Sequence, residues 1–417
     1  MKNFLFTITA LLFWIGNANA QLTIEDCQTK AKANYPLIKQ YDLIKQSESY
    51  NLSNANKGYL PQFSLSGKAT YQSDVTKLPI TLPGLTIPTL SKDQYQIVAE
   101  ADQVVWDGGN IKSQKTVTKA SSAVDMQQNE VNLYALHDRV NQLFFGILSL
   151  NEQLKQNEIL QNDLQTNYDK ISAYIKNGVG NAANLDDVKA EQLKTKQQRA
   201  EIMAMQQAYC DMLAVFINQS VKNPEMLVKP EQSIVSETNN RPELKLFEAQ
   251  NNLYSSQIST IKAANMPHIN LFIQGGYGKP GLNMLNDNFA AFYVGGIRLA
   301  WNFGSFYTQK NNLRKIELNQ RGVTVQRETF LFNSQLQELQ QKNEIDKLSK
   351  IINDDDEIIR LRTNIKNASQ AKVLNGTLPV SDLIRDVNAA SQAMQDKALH
   401  EIQLLQAIYN LKEITNN

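Results

Sequence analysis

Few side chains in this chain are grouped in a way that could do chemistry. The three histidines, His137, His268 and His400, have neither metal-like spacing nor a nucleophile beside them. Gly275-Gly276-Tyr277-Gly278 is glycine-rich but sits inside an alternating strand pattern and opens no helix, so it does not read as a phosphate loop. Cys27 and Cys210 are too few for a disulfide scaffold; both read as small buried residues, with a bridge between them as the alternative. Asp354-Asp355-Asp356-Glu357 is an acidic run on a helical pattern, read as a solvated face. No catalytic residue, cofactor site or metal site is expected. What remains is a pair of carboxylates, Asp187 and Asp382, each just inside the start of a helical pattern. The helix dipole alone would explain either of them.

Their spacing is the informative part. Asp187 follows Trp106 by 81 residues, and Asp382 follows Trp301 by 81. Pro36 and Pro61 are 25 apart, as are Pro242 and Pro267. The chain is a tandem duplication. Trp106 and Gly109 close the first copy of an alternating run, Trp301 and Gly304 the second. Each pair marks the junction from strand to long helix.

Four stretches alternate with a period of two: about 62–72, 95–106, 268–278 and 289–301. One face of each is apolar: Phe63, Leu65 and Tyr71, for instance, or Ile269, Leu271, Ile273 and Tyr277. Ten to twelve residues suit a tilted membrane strand. Tyr71, Tyr95, Tyr277 and Phe289 fall at the loop-side strand ends, as in an aromatic girdle. Ser64, Lys68, Gln96, Glu100, Asn270, Gln274 and Arg298 form the polar faces, but Phe272, Phe292 and Val294 interrupt them. Residues 73–94, with Pro79, Pro83, Gly84 and Pro88, read as a loop.

The rest is helical. A short pattern spans Ile24 to Asn56. After Trp106, Asn110 to Asn177 holds no Pro and one Gly, Gly146, with apolar residues mostly three or four apart, which reads as one long helix. A turn at Gly178 precedes a return to about Asn218; the second half repeats this from Ser305 to Leu374, turns at Asn375-Gly376 and returns. Narrow apolar stripes of this kind pack as coiled coils. The expected organisation is a secretory signal at 1–20, a first repeat at 21–220, a linker at 221–238 and a second repeat at 239–417. Lys2, the apolar run Phe4 to Ile15 and Ala18-Asn19-Ala20 carry the signal pattern. Cys27 lies too far beyond Ala20 for an N-terminal lipid anchor. The net charge of +1 is spread evenly, which leaves no nucleic-acid footprint.

Together these residues resemble the TolC family of outer-membrane efflux proteins. The match rests on Asn34-Tyr35-Pro36 and Arg241-Pro242-Glu243-Leu244, Tyr59-Leu60-Pro61 and Met266-Pro267, Val105-Trp106-Asp107-Gly108-Gly109 and Trp301-Asn302-Phe303-Gly304, and the tips Gly178 to Val188 and Gly376 to Leu383. The resemblance implies a mainly α fold with a small β part. It implies a homotrimer whose copies give four strands each to a 12-stranded barrel in outer-membrane lipid of a Gram-negative bacterium, continuous with a long α-helical tunnel in the periplasm. It implies a passive, non-enzymatic exit duct, served by a periplasmic adaptor and an inner-membrane transporter.

It also gives Asp187 and Asp382 the role of a cation-attracting ring at the periplasmic gate. Adaptor docking falls on the tips at Gly178, Asn181, Ala182, Gly376 and Thr377, and the acidic run gains a tunnel-lining option. The chain departs from the family where a second acidic residue is replaced by Arg385, and where the Tyr and Arg of the gate lock correspond to Val373 and Leu378. Arg385 is three residues from Asp382 and is expected to pair with it, modulating the gate. The rival reading is a barrel-anchored spacer or adhesin without transport.

Overall fold

The computed structural model describes residues 21–76, 89–176, 181–232 and 238–416. The expected signal at 1–20, Gly178, and parts of the 73–94 loop and the linker lie outside them. The chain forms two compact units interleaved in sequence. One consists of the chain up to Lys39, Asn129–Leu244 and Glu328 onward; the other consists of Gln40–Gln128 and Lys245–Arg327.

In the first unit, α1 (Ile24–Asn34) starts from a capping box: Thr23 accepts from the Asp26 amide while the Asp26 carboxylate accepts from the Thr23 amide. The expected helix from Ile24 to Asn56 is broken. Tyr35 is extended, Pro36–Lys39 is a 3-10 turn, and α2 (Gln40–Lys57), in the second unit, begins only afterwards. Pro36 has no N–H to donate, and its ring pushes Tyr35 out of the helical region.

The long helix expected from Asn110 is likewise two: α3 (Asn110–Tyr134) and α4 (Leu136–Lys176). The interruption is a single residue, Ala135, whose amide still donates to the Val131 carbonyl at 3.3 Å, and Leu133, Tyr134 and Leu136 around it are all buried. The Tyr134 hydroxyl donates to the Glu413 carbonyl at 2.7 Å and the Arg241 guanidinium stacks on its ring at 4.6 Å. Helix α5 (Ala183–Ile217) returns beside α4. After α6 (Pro242–Ala263), the second repeat runs α7 (Ser305–Leu374) unbroken for 70 residues, then α8 (Val380–Thr415). At 1.5 Å per residue α7 is about 105 Å long.

The core of this unit lies where α1, α4, α5 and α8 meet. Val140, Phe144, Phe145, Leu213, Ile217, Leu405 and Tyr409 are buried there with both cysteines. Gly146, the one glycine of the helical run, faces the Tyr209 ring. A Cβ there would sit 2.5 Å from Tyr209 Cε2, so the ring takes the space a side chain would need. Each repeat also meets itself end to end. Leu22 bridges Leu227, with its amide donating to the Met226 carbonyl at 2.8 Å. In the second repeat the Asn240 amide donates to the Thr415 carbonyl at 2.8 Å, and Asn416 Nδ2 donates to the Asn240 carbonyl at 2.7 Å.

The second unit holds the sheet: β1 (Gln62–Tyr71), β2 (Asp93–Trp106), β3 (His268–Lys279) and β4 (Ala290–Ala300), antiparallel in chain order. Because neighbours pair in sequence order, β1 and β4 are both open edges. At the lower end of β2, Asp107 turns the chain into α3. Its Oδ1 accepts from the Gly109 amide at 2.9 Å and its Oδ2 from the Ile111 amide at 2.6 Å. The backbone takes φ +65° at Gly108 and +87° at Gly109, where a side chain is strained. In the second repeat Asn302 replaces Asp107; its Oδ1 accepts from the Gly304 amide at 2.9 Å.

Candidate functional site

Two parts of the chain carry the expected functional residues: the hairpin tips in the first unit and the sheet in the second. The α7–α8 tip closes as a Schellman motif. Gly376 takes φ +70°, its amide donates to Val373 O at 3.0 Å, and the Thr377 amide donates to Lys372 O at 2.9 Å. In the α4–α5 tip, Asn181 Oδ1 accepts from the Ala183 amide at 3.0 Å, with Asn181 and Ala182 both exposed. Behind the tips Ile171, Val188 and Val380 are buried together, with Val373 packed against them. Val373 thus belongs to an apolar seam and makes no polar lock.

The two carboxylates differ. Asp187 is exposed, as is its neighbour Asp186, because the next residue, Val188, is the one turned inward. Asp382 lies in the first turn of α8 and accepts from Arg385 Nη1 at 2.9 Å. Arg385 is also 3.6 Å from Asp386, whose other oxygen accepts from Ser369 Oγ of α7 at 2.6 Å. Among the described residues neither Asp186 nor Asp187 makes an ion pair, whereas Asp382 is paired with Arg385.

Several contacts join residues far apart in the chain. Lys366 of α7 binds Asp163 of α4 at 2.9 Å, and one turn on Gln370 donates to Asn167 at 3.2 Å. The acidic run is not simply solvated. Asp355 is buried and lies 2.8 Å from His400 Nδ1, Asp356 pairs with Lys397, and Glu357 pairs with Arg360. A run of four acids covers all sides of a helix, so one of them must face a neighbour. The only sequence hint was the matched spacing of four, Asp163 with Asn167 and Lys366 with Gln370.

The register of the sheet sorts its faces. Phe63, Ala101, Ile273 and Gly295 stand in one row, and Leu65, Ala99, Gly275 and Tyr293 in the next. This face is apolar and bare: Phe63 is 82 % exposed and Tyr293 81 %. At its loop end Phe289 stacks between Tyr95 and Tyr277, with centroids at 6.4 and 5.6 Å. At the helix end are Trp106, Trp301 and Phe303; Trp301 Nε1 donates to the Asn265 carbonyl at 3.1 Å. An apolar band bracketed by two sets of aromatic side chains is the pattern of a lipid-facing strand surface.

The other face is mixed. Arg298 reaches Glu100 at 2.9 Å and Asp102 at 3.2 Å, and Gln274 donates to Glu100 at 2.7 Å. The aromatics that interrupt it have partners: Phe292 lies over Gly276, Phe272 over Gly296, and the Arg298 guanidinium is 4.6 Å from the Phe272 ring. The glycines leave room for rings to lie flat, and the surface stays open to water.

The remaining candidates carry no chemistry. Cys27 and Cys210 are free and buried in one core, and burial pushes the Cys27 thiol up from 9.0 to about 12. Burial first, and Glu413 second, push the Tyr134 phenol above its usual range. His137 Nδ1 is 3.5 Å from Glu413. Among the described residues no cluster of three metal-binding side chains occurs, and no helix is long and apolar enough to cross a membrane.

No family model matches the chain, and no curated protein matches it by sequence. Solved structures do. The outer membrane protein VceC of Vibrio cholerae aligns with a TM-score of 0.66 over 94 % of this chain and 96 % of its own, at 12 % identity. The open state of the Neisseria gonorrhoeae MtrE outer membrane channel aligns at 0.67 over 94 % and 89 %, at 13 % identity. The Campylobacter jejuni CmeC outer membrane channel aligns at 0.64 over 94 % and 85 %, at 12 % identity. The chain has the fold of these outer-membrane channels.

Proposed function

We propose that this protein is the outer-membrane exit duct of a tripartite efflux or type I secretion system. It works as a homotrimer and passively conducts cargo handed over by an inner-membrane transporter and a periplasmic adaptor. The observation that carries the reading is the four-stranded sheet with an apolar, girdled face and two open edges. Each outward N–H or C=O left unpaired in hydrocarbon costs several kcal/mol, so the two edges of one copy would cost on the order of tens of kcal/mol in lipid. Three copies of four strands close a barrel and remove both edges. Exposed Leu318, Val325, Phe332 and Leu339, seven residues apart along α7, supply a seam for a neighbouring subunit.

In this reading the chain sits in the outer membrane with its helices in the periplasm, and 1–20 is the export signal. Asp187 and Asp382 ring the periplasmic gate, with Arg385 as modulator. The tips at Gly178, Asn181, Ala182, Gly376 and Thr377 dock the adaptor. Driving energy comes from the transporter. The test is conductance of the purified protein in a planar bilayer, with its mass in detergent measured in parallel. A trimer with a small, cation-selective conductance blocked by multivalent cations from the periplasmic side supports the duct. A correctly inserted trimer that stays silent even when its tip residues are substituted would make it a spacer or adhesin.

A further inference from the structure

The connection between β3 and β4, residues 280–289, does not stand away from the sheet. Pro280, Gly281 and Met284 lie over the mixed-polarity face, where with Lys68, Thr70, Gln94 and Gln96 they line a cleft of about 150 Å³. Lys68 and Gln96 are register partners on the face that carries Ser64, Glu100 and Gln274. Tyr95 of the aromatic stack and Lys279 complete the lining, so the loop leans over the mixed-polarity face at the edge of the belt.

It is also held there. Asp287 accepts from the Ser91 amide at 2.7 Å and from the Ser91 hydroxyl, and lies 3.7 Å from Lys279 Nζ. Ser91 belongs to the β1–β2 connection, so this one carboxylate ties the two loops of the sheet together. The Ser91 side-chain and backbone hydrogen bonds hold the Asp287 carboxyl below the usual range.

The tip carries the wrong residues for open water. Leu282, Met284 and Leu285 are 63, 62 and 59 % exposed, three large apolar side chains within four positions. They belong to the connection that precedes Phe289 of the aromatic stack and to neither strand. A surface of this kind wants a partner.

We infer that residues 280–289 form an outer lid, whose partner is the same loop of the other two subunits, meeting through Leu282, Met284 and Leu285 over the lumen mouth. The inference rests on the trimeric-duct reading. The Asp287–Ser91 tie is its latch. The duct then closes at both ends, and cargo leaves when the latch yields.

The test places a reporter thiol beneath the lid, Gln96→Cys, and one on its surface, Asn283→Cys, in the full-length trimer in intact cells. A membrane-impermeant maleimide is added outside. The lid predicts that Gln96→Cys reacts at least about tenfold more slowly than Asn283→Cys. It also predicts that the gap closes with either Ser91→Ala plus Asp287→Asn, which frees the latch, or Leu282→Ser, Met284→Ser and Leu285→Ser together, which removes the meeting surface. Equal rates in the parent overturn the lid and leave the duct standing, since the lumen is then reached from outside. A Gln96 reporter that stays slow in both released forms also overturns the lid, because something else shields it. Planar-bilayer conductance of the same trimers reports separately on whether a lumen exists.

Discussion

Arg385→Gln should make the periplasmic mouth a better cation trap. In the parent, each Asp382 is paired with Arg385 at 2.9 Å, and the Arg385 side chain is 69 % exposed. An exposed pair of this kind is worth about 0.2–1 kcal/mol, with solvent screening favouring the low end. In the proposed trimer, a multivalent cation entering the ring has to displace that interaction on each of three subunits, a handicap of about 0.6 kcal/mol or somewhat more in total. Since about 1.4 kcal/mol is a factor of ten, its removal should lower the half-blocking concentration about threefold to tenfold. The assay is block of single-channel current by a trivalent cation on the periplasmic side, at low and at physiological salt. Salt should shrink the difference, because the Debye length falls to about 8 Å at 0.15 M. Asp187→Asn should act in the opposite direction. The reasoning is refuted if Arg385→Gln leaves the midpoint unchanged while Asp187→Asn abolishes block, since Asp382 would then contribute nothing to the ring.

Lys366→Gln should remove the Asp163 contact at 2.9 Å that ties α7 to α4, raising resting conductance and lowering stability by about 1 kcal/mol; Lys366→Arg should restore both, and equal conductance in all three would sink the idea that this contact holds the hairpins. Gly146→Ala, despite the better helix propensity of alanine, should destabilise the fold by about 1–3 kcal/mol because of the Tyr209 ring; urea unfolding that shows a more stable variant would contradict it. The Cys27 thiol, held neutral in the fold up to about pH 12 but ionising near 9.0 when unfolded, stabilises the fold below pH 9, and that contribution is lost as pH rises through the window from 9 to 12. Alkylation at pH 9.5 should therefore need unfolding, and rapid alkylation of the folded protein would count against a sealed core.

What was legible in the sequence was what a single element reveals about itself. Strand alternation at Phe63, Leu65 and Tyr71, or at Ile269 to Tyr277, needs only the period of two, and the strands lie within two residues of where that pattern puts them. The break at Tyr35–Pro36 follows from proline chemistry, although the apolar spacing around it continues a helical pattern. The one-residue interruption at Ala135 has no glycine or proline to mark it, and the Ala135 amide still donates to the Val131 carbonyl at 3.3 Å across it. Contacts across helices were hidden because they join distant parts of the chain: Asp163 and Lys366 are 203 residues apart, and which acid of Asp354 to Glu357 faces a neighbour depends on the rotation of α7 about its own axis. Arg385 with Asp382 could be anticipated because both lie on one helical turn.

The joining of Leu22 to Leu227, and of Asn240 to Thr415 and Asn416, bears on how such a molecule arises. A segment that begins where it finishes can be copied and fused to its own copy through a short connector, with no strand or helix rerouted. The doubled gene then needs only the peptide from Val228 to Asn239 as a splice. The same geometry makes the chain a natural subject for circular permutation, in which the old termini are linked and new ones opened within that splice. Asp107 and Asn302, matched in place but not in charge, show the two copies already diverging at a shared corner.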